Sequence, residues 1–298
     1  MSGQASYQAR WAVMAAGGTF DGSTPTWDFV SDTLAAKEQI LVGAGLRGYR
    51  QRQLEAESNG MYDVSGQLVA EPSVGFLSFW LPYVMGGGST TVPAFAQTVP
   101  SFDIVCDRVA GIYKYQSCKI SKFSMKFTSG QLVRCTMDVI GKAYQATTFA
   151  GAALGTSLLY QPLQSASIVV ANASQNMAVE DFELVIDNVI SPKRRCKLTN
   201  QDLIETDRQV TFNASCAWDS SQAANFANGG FYPDSGVTVT LTNTAISSTV
   251  SAAFTFSRVK IPINHAVPQA DEFILPIEAL CRGTSAGVEF TALLDITP

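Results

Sequence analysis

Each half of this 298-residue chain carries a long β-hairpin pattern that changes phase part-way along. In the first half Cys118 and Ile120 are apolar in one phase; Phe123, Met125 and Phe127, separated by Ser124 and Lys126, are apolar in the other. Side chains of a strand alternate between faces, so a slip of one residue moves the whole apolar set to the wrong side. The pattern therefore predicts a bulge or bend near Ser121-Lys122. A Ser129-Gly130 turn leads into a return strand with Val133, Cys135, Met137 and Val139 opposite Arg134, Thr136 and Asp138. In the second half Ala252, Phe254 and Phe256 hold one phase and Val259, Ile261 and Ile263 the other. The return strand there has Phe273, Leu275, Ile277, Ala279 and Cys281 on one face. The recurrence predicts an internal duplication.

A strand and a short helix precede each hairpin. Val210, Phe212, Ala214, Cys216 and Trp218 alternate with polar residues; Asp219-Ser220 then caps a helix through Phe226, ended by Gly229-Gly230. The first-half counterpart is a looser strand, Val64 to Glu71, weakened by Gly66. Pro72-Ser73 opens a helix with Leu77, Trp80, Leu81 and Val84 on one face, bent or shortened by Pro82 and stopped by Gly86-Gly87-Gly88. The Ala/Gly/Thr-rich segment from Ala146 to Pro162 reads as a connector. The expected class is all-β: two tandem sandwich- or barrel-like domains, residues 1–155 with an N-terminal arm and 156–298, each with one packed helix and one long hairpin.

Apolar residues make up 46% of the chain and charged residues 15%, against a usual charged share of about 25%. So few charges suit a surface largely hidden in an assembly, where charges would have to be desolvated. The net charge of −5 withholds the basic footprint that phosphate binding requires. The longest apolar stretch, Phe76 to Met85, falls far short of the ~20 residues that span a bilayer. Residues 11–16 are too short a run for a secretory signal. The six cysteines (Cys106, Cys118, Cys135, Cys196, Cys216, Cys281) are scattered singly and read as reduced core thiols.

Enzyme-like strings fail their context. Gly43-Ala44-Gly45-Leu46-Arg47-Gly48 spells a dinucleotide fingerprint, but strand and hairpin patterns follow it where βα units are needed. Gly283-Thr284-Ser285-Ala286-Gly287 spells a nucleophile elbow, whose base would be a later histidine; the single histidine, His265, precedes it. One histidine and unclustered cysteines give no zinc pattern, so neither catalysis nor a cofactor is expected. Two basic clusters remain, Arg47, Arg50 and Arg52, then Lys193, Arg194, Arg195 and Lys197, each between the first strand of its half and the strand leading to the helix. They are either solvated loops or partners of acidic loops such as Glu55-Glu57 and Asp202-Glu205 on neighbouring subunits. Direct phosphate binding ranks third.

Thr26 to Gly88 resembles the opening of bacteriophage tail tube proteins of the long, duplicated type. The likeness is carried by Phe29-Val30-Ser31-Asp32-Thr33-Leu34, Gly45-Leu46-Arg47-Gly48-Tyr49-Arg50, Val64-Ser65-Gly66, Glu71-Pro72 and Leu81-Pro82. A second block runs from Phe102 to Asp107, through Tyr113-Lys114-Tyr115-Gln116-Ser117-Cys118-Lys119, to Asp138-Val139-Ile140-Gly141-Lys142. The resemblance implies a structural virion protein, made in the host cytoplasm, that stacks in rings as the conduit for the genome. Three chains would give a pseudo-sixfold ring. Its partners would be itself and the tape measure and tail-terminating proteins, with no membrane, and DNA would pass without specific binding. The hairpins would line the lumen, with Lys126, Arg134, Thr136 and Asp138 on one face and Glu278 and Arg282 in the other half. The competing expectations are a distal tail or capsid-decorating β-subunit and a secreted β-sandwich binding module.

Overall fold

The computed structural model describes residues 10–42, 57–108, 111–149, 162–163, 165–170, 176–177, 179–193, 202–218, 235–243, 250–260, 267–268, 273–281 and 290–295. The first half contributes β1 (Arg10–Ala15), β2 (Thr26–Asp28), β3 (Ser31–Asp32), β4 (Ala35–Val42) and β5 (Glu57–Ala70). It continues with α1 (Val74–Met85), β6 (Gly86–Gly88), β7 (Pro93–Phe95), β8 (Phe102–Asp107), β9 (Ile112–Thr128), β10 (Arg134–Gly141) and β11 (Ala143–Ala146). The second half contributes β12 (Ser165–Val170), β13 (Asn176–Met177), β14 (Val179–Asp187), β15 (Ile190–Lys193), β16 (Asp202–Glu205) and β17 (Gln209–Trp218). It ends with β18 (Ser235–Asn243), β19 (Val250–Lys260), β20 (Val267–Pro268), β21 (Phe273–Cys281) and β22 (Phe290–Asp295). The chain is all-β with one described helix; the helix expected over 219–226 lies outside the described residues.

The first hairpin follows its apolar alternation. Phe123, Met125 and Phe127 on β9 and Cys135, Met137 and Val139 on β10 are buried, and Gly130 makes the turn at φ +78°. Lys122 pairs with Asp138 and Ile120 with Val139, which leaves Ser121 as the extra residue of a bulge, at the predicted place. A second irregularity was not predicted. Phe102 and Ile104 of β8 face Cys118 and Tyr115 of β9, three positions against two, around Ser117 at φ +49°.

The second half repeats one of these irregularities. Ser235 and Val237 face Val259 and Phe256, again three positions against two. The break the sequence displays between Phe256 and Val259 is therefore the counterpart of the one at Ser117, not of the one at Ser121. Lys260 pairs with Leu280 and Val267 with Ile274; Ile261 and Ile263 of the second hairpin pattern lie outside the described residues.

The pairing scheme also recurs. β1 pairs with β2 and β8, β8 with β9, β9 with β10 and β11, and β5 with β10 and β4. In the same way β12 pairs with β13 and β18, β18 with β19, β19 with β21 and β22, and β17 with β21 and β14. One further ladder joins the halves: β14 runs antiparallel to β9, from Asp181 opposite Thr128 to Asp187 opposite Lys122. The order β4–β5–β10–β9–β14–β17–β21 is thus one continuous antiparallel sheet.

The helix starts where Ser73 Oγ accepts from the Phe76 N–H at 3.0 Å, and ends at Gly86, φ +101°. A Cβ at Gly86 would also meet the Thr98 carbonyl at 2.5 Å, so glycine is needed there twice over. Pro82 sits in the last turn. The buried residues of α1 form part of one core with residues of both halves, and α1 packs against β9, β19 and β22. Trp80 meets Trp11, Phe79, Tyr83 and Phe102 edge-on. Phe182, Phe212 and Phe256 continue the aromatic run through the second half at centroid spacings of 5.4 and 5.5 Å.

Candidate assembly surface

The face of the joined sheet turned away from α1 is polar, because each strand sends its apolar alternate inward. Cross-strand rows can be read directly from the registers. One row runs Gln67–Asp138–Lys122–Asp187–Gln209. The next but one runs Arg134–Lys126–Glu183–Asn213–Glu278. The structure brings Lys126, Arg134, Thr136 and Asp138 together on this face, and Glu278 occupies a position of the same row as Lys126. Arg282 lies outside the described residues.

The row registers explain the charge pattern. Lys122 stands between Asp138 and Asp187, and the like-charged neighbours Arg134 and Lys126 have Glu183 on one side. Glu71, Lys126, Arg134 and Glu183 line one open groove of about 720 Å³. Opposite charges across strands are each worth ~1 kcal/mol or less. Among the described residues of these two rows no more than two cations, Arg134 and Lys126, stand together. Asp138 is also held by Gln67 Nε2, which donates to it at 3.0 Å.

The residues that set this sheet in place carry no local signature. Asn188, directly after β14, is buried; its Nδ2 donates to the Val84 carbonyl of α1 at 2.9 Å and to the Ile120 carbonyl of β9 at 3.1 Å. Its Oδ1 accepts from Arg208 Nε at 3.0 Å, while Arg208 Nη2 donates to the Ala96 carbonyl and the guanidinium lies over the Phe95 ring. Glu205 pairs with Lys119 and accepts from the Val99 N–H at 3.1 Å. Burial opposes the Glu205 charge, but these donors outweigh it and hold the carboxyl below its ordinary value. Glu205 is thus engaged within its own chain. Asp202 stands opposite Lys193, which is exposed at the end of β15. Arg47, Arg50, Arg52, Arg194, Arg195 and Lys197 lie outside the described residues.

At the β4 end of the sheet, Asp32 and Arg108 form a two-bond ion pair at 2.7 and 2.9 Å, with the Asp32 side chain 1% exposed. Arg108 and the Tyr115 hydroxyl both donate to the Leu34 carbonyl, and burial pushes the Tyr115 phenol up to about 12. The motif residue Asp32 is therefore part of a structural clamp. The alternation of Phe182, Leu184 and Ile186 could have revealed β14 from sequence; the partners of Asn188 and Asp32 had no such signal.

The antiparallel pairing of β4 with β5 removes the dinucleotide reading of the strand before Gly43. Cys106, Cys118 and Cys135 are free and buried, and burial drives each thiol's pKa up. Among the described residues no group of His, Cys, Asp and Glu is placed to hold a metal ion, and no helix is long and apolar enough to cross a membrane. No curated protein matches the chain. A family model described as phage tail tube protein matches residues 8–289, nearly the full length. The chain belongs to the phage tail tube protein family: it is a structural protein of the virion tail that assembles into a tube.

Proposed function

We propose that one chain supplies two positions of a ring, that three chains close it, and that the polar face of the joined sheet lines the lumen. The β9–β14 ladder carries this reading, because it joins equivalent strand sets of the two halves side by side in one sheet. A ring built by continuing that relation has no free sheet edge left to aggregate. Residues 1–155 and 156–298 are then the two repeated units. Lys126, Arg134, Thr136, Asp138, Glu278 and Arg282 belong to the wall. The interleaved charges suit a duct past which DNA moves without being gripped, so the wall acts by shape and not by specific binding.

Arg47, Arg50 and Arg52 fall in the β4–β5 connection, and Lys193, Arg194 and Arg195 in the β14–β17 connection. These are equivalent places in the two halves. They are proposed to make ring-to-ring contacts, with tape measure and tail-terminating proteins as further partners at the tube interior and end. Electron microscopy of the purified full chain, with mass measured per ring, tests the reading. Uniform tubes with three chains per ring are expected. Monomers or lone rings at all concentrations, or six chains per ring, would overturn it.

A further inference from the structure

We propose that Val189 is an assembly contact: with Ile204 it forms an uncharged face of the β15–β16 arm that packs against Leu132, at the β9–β10 tip, of a copy in the next ring. The inference rests on the tube reading and adds which side chains meet between rings. Val189 has φ +33°. A β-branched side chain is strained in the left-handed region, where glycine or asparagine sits at far less cost. The backbone there is fixed from inside the chain. The Val189 N–H donates to Asp187 Oδ1 at 2.9 Å, and the Val189 carbonyl accepts from the Thr206 N–H at 3.2 Å and from Thr206 Oγ1 at 2.9 Å. The side chain is placed differently: it is 43% exposed, so packing inside the chain does little to offset the strain of a valine.

Ile204 extends the same exposed face. Ser191 lies opposite Ile204, which is 38% exposed, while Ile190 and Leu203 on the other side of the arm are buried. Alternation therefore puts Val189, Ser191, Ile204 and Thr206 on one outward face that carries no charge. A two-stranded ribbon is marginal in water until such a face is covered. The arm leaves the joined sheet beyond Asp187, which stands opposite Lys122. At the other end Asp181 stands opposite Thr128, about 20 Å along the strands, and the tip beyond it exposes Leu132. Copies stacked in one direction bring unlike ends together, so the arm of one ring meets the tip of the next. Leu132 is the apolar residue lining the groove that also holds Glu71, Lys126, Arg134 and Glu183. An uncharged face can enter a groove of mixed sign without burying an unpaired charge of its own.

Val189→Asn separates the strain from the contact. In the unassembled full chain it should raise the melting temperature by about 2 °C or more, because asparagine tolerates the left-handed region. Tube yield by electron microscopy should nevertheless fall about tenfold or more, since the apolar contact between rings is lost. A side chain that matters only to its own chain would not move the two readouts in opposite directions. Ile204→Thr keeps a β-branched residue in the strand, and should hold the melting temperature within about 1 °C while lowering tube yield in the same way. Contact is read directly by placing p-benzoylphenylalanine at position 204 of the full chain, diluting it into wild-type chain and irradiating the tubes. Covalent dimers should join position 204 to residues 127–134 of the second chain, the tryptic peptide that contains Leu132. Wild-type tube yield from both variants, a lowered melting temperature for Val189→Asn, or dimers joined only elsewhere would overturn the inference and leave the tube reading standing. Failure of the wild-type chain to form any tube would instead overturn the tube reading.

Discussion

Replacing Asn188 by alanine should be the most damaging single polar change in the described chain. The side chain, 1% exposed, satisfies the Val84 carbonyl in the last turn of α1 and the Ile120 carbonyl beside the Ser121 bulge. Carbonyls in the last turn of a helix have no partner further along it, and the bulge interrupts the ladder beside Ile120. A buried acceptor left without a donor costs about 1–3 kcal/mol. Two such losses, partly relieved if water enters the vacated space, give about 2–4 kcal/mol. Arg208 loses one acceptor but keeps the Ala96 carbonyl and the Phe95 ring, so its share is small.

The assay is urea unfolding of unassembled chain, at concentrations where sedimentation shows a monomer, with ΔΔG taken from the midpoints at constant slope. On heating, the same loss should appear as a fall of about 4–10 °C. Asn188→Asp should be worse than alanine, because a carboxylate cannot donate to either carbonyl and sets negative charge against both. Hydrogen exchange should quicken first along residues 120–128, where β9 meets β14. An Asn188→Ala chain within about 0.5 kcal/mol of wild type would refute the reasoning, as would an aspartate variant more stable than the alanine one.

Ser73→Ala removes the acceptor for the Phe76 N–H and should cost about 1 kcal/mol in the same urea assay. Gly66→Ala would place a Cβ 2.4 Å from Leu34 Cα and 2.5 Å from the Thr33 carbonyl, backbone that must shift. A loss of about 1–3 kcal/mol is expected, with faster exchange over residues 31–38. Glu205 has its folded pKa held below the ordinary 4.5, so its contribution is present above that value and is lost as pH falls through the folded pKa. Urea midpoints from pH 7 downward should decline below about pH 4.5, and Glu205→Gln should flatten that part of the decline. Cys106, Cys118 and Cys135 should resist alkylation at pH 8 in the folded chain and be modified once urea unfolds it, as peptide mass spectrometry would show.

The first hairpin, the described helix and both its caps were legible because each is written in residues a few positions apart. Ser73 and Gly86 bracket an apolar run, and period-two alternation marks β9, β10 and β17. What the sequence could not convey was contact between distant segments. Gly66 reads locally as a weak point in a strand, yet its place is fixed by the backbone of Thr33 and Leu34 pressing on it. The pairing of β14 with β9 was likewise invisible, since alternation says which face is apolar and nothing about which strand lies alongside. The mixed charges at Lys126, Arg134 and Asp138 were visible, but their neutralisation depends on Glu183 and Asp187, which reach the same face only through that pairing.

The phase break itself has a mechanical reason that only the fold supplies. β9 serves two pairings in succession: residues 112–118 lie between β8 and β11, and residues 122–128 between β10 and β14. A strand that leaves one set of neighbours for another must keep facing the same core, and an unbroken alternation cannot follow that turn. The shifts at Ser117 and Ser121 restore it, so that Tyr115, Cys118, Ile120, Phe123, Met125 and Phe127 all point inward. The cost is an interrupted ladder, and Asn188 fills it by donating to Ile120 at the break. β19 carries the first of these shifts with β18. A strand that turns in this way has one flank committed to its own hairpin and the other free for the next unit. In β9 that flank is taken by β14 of the same chain, and this carries the sheet from the first half into the second.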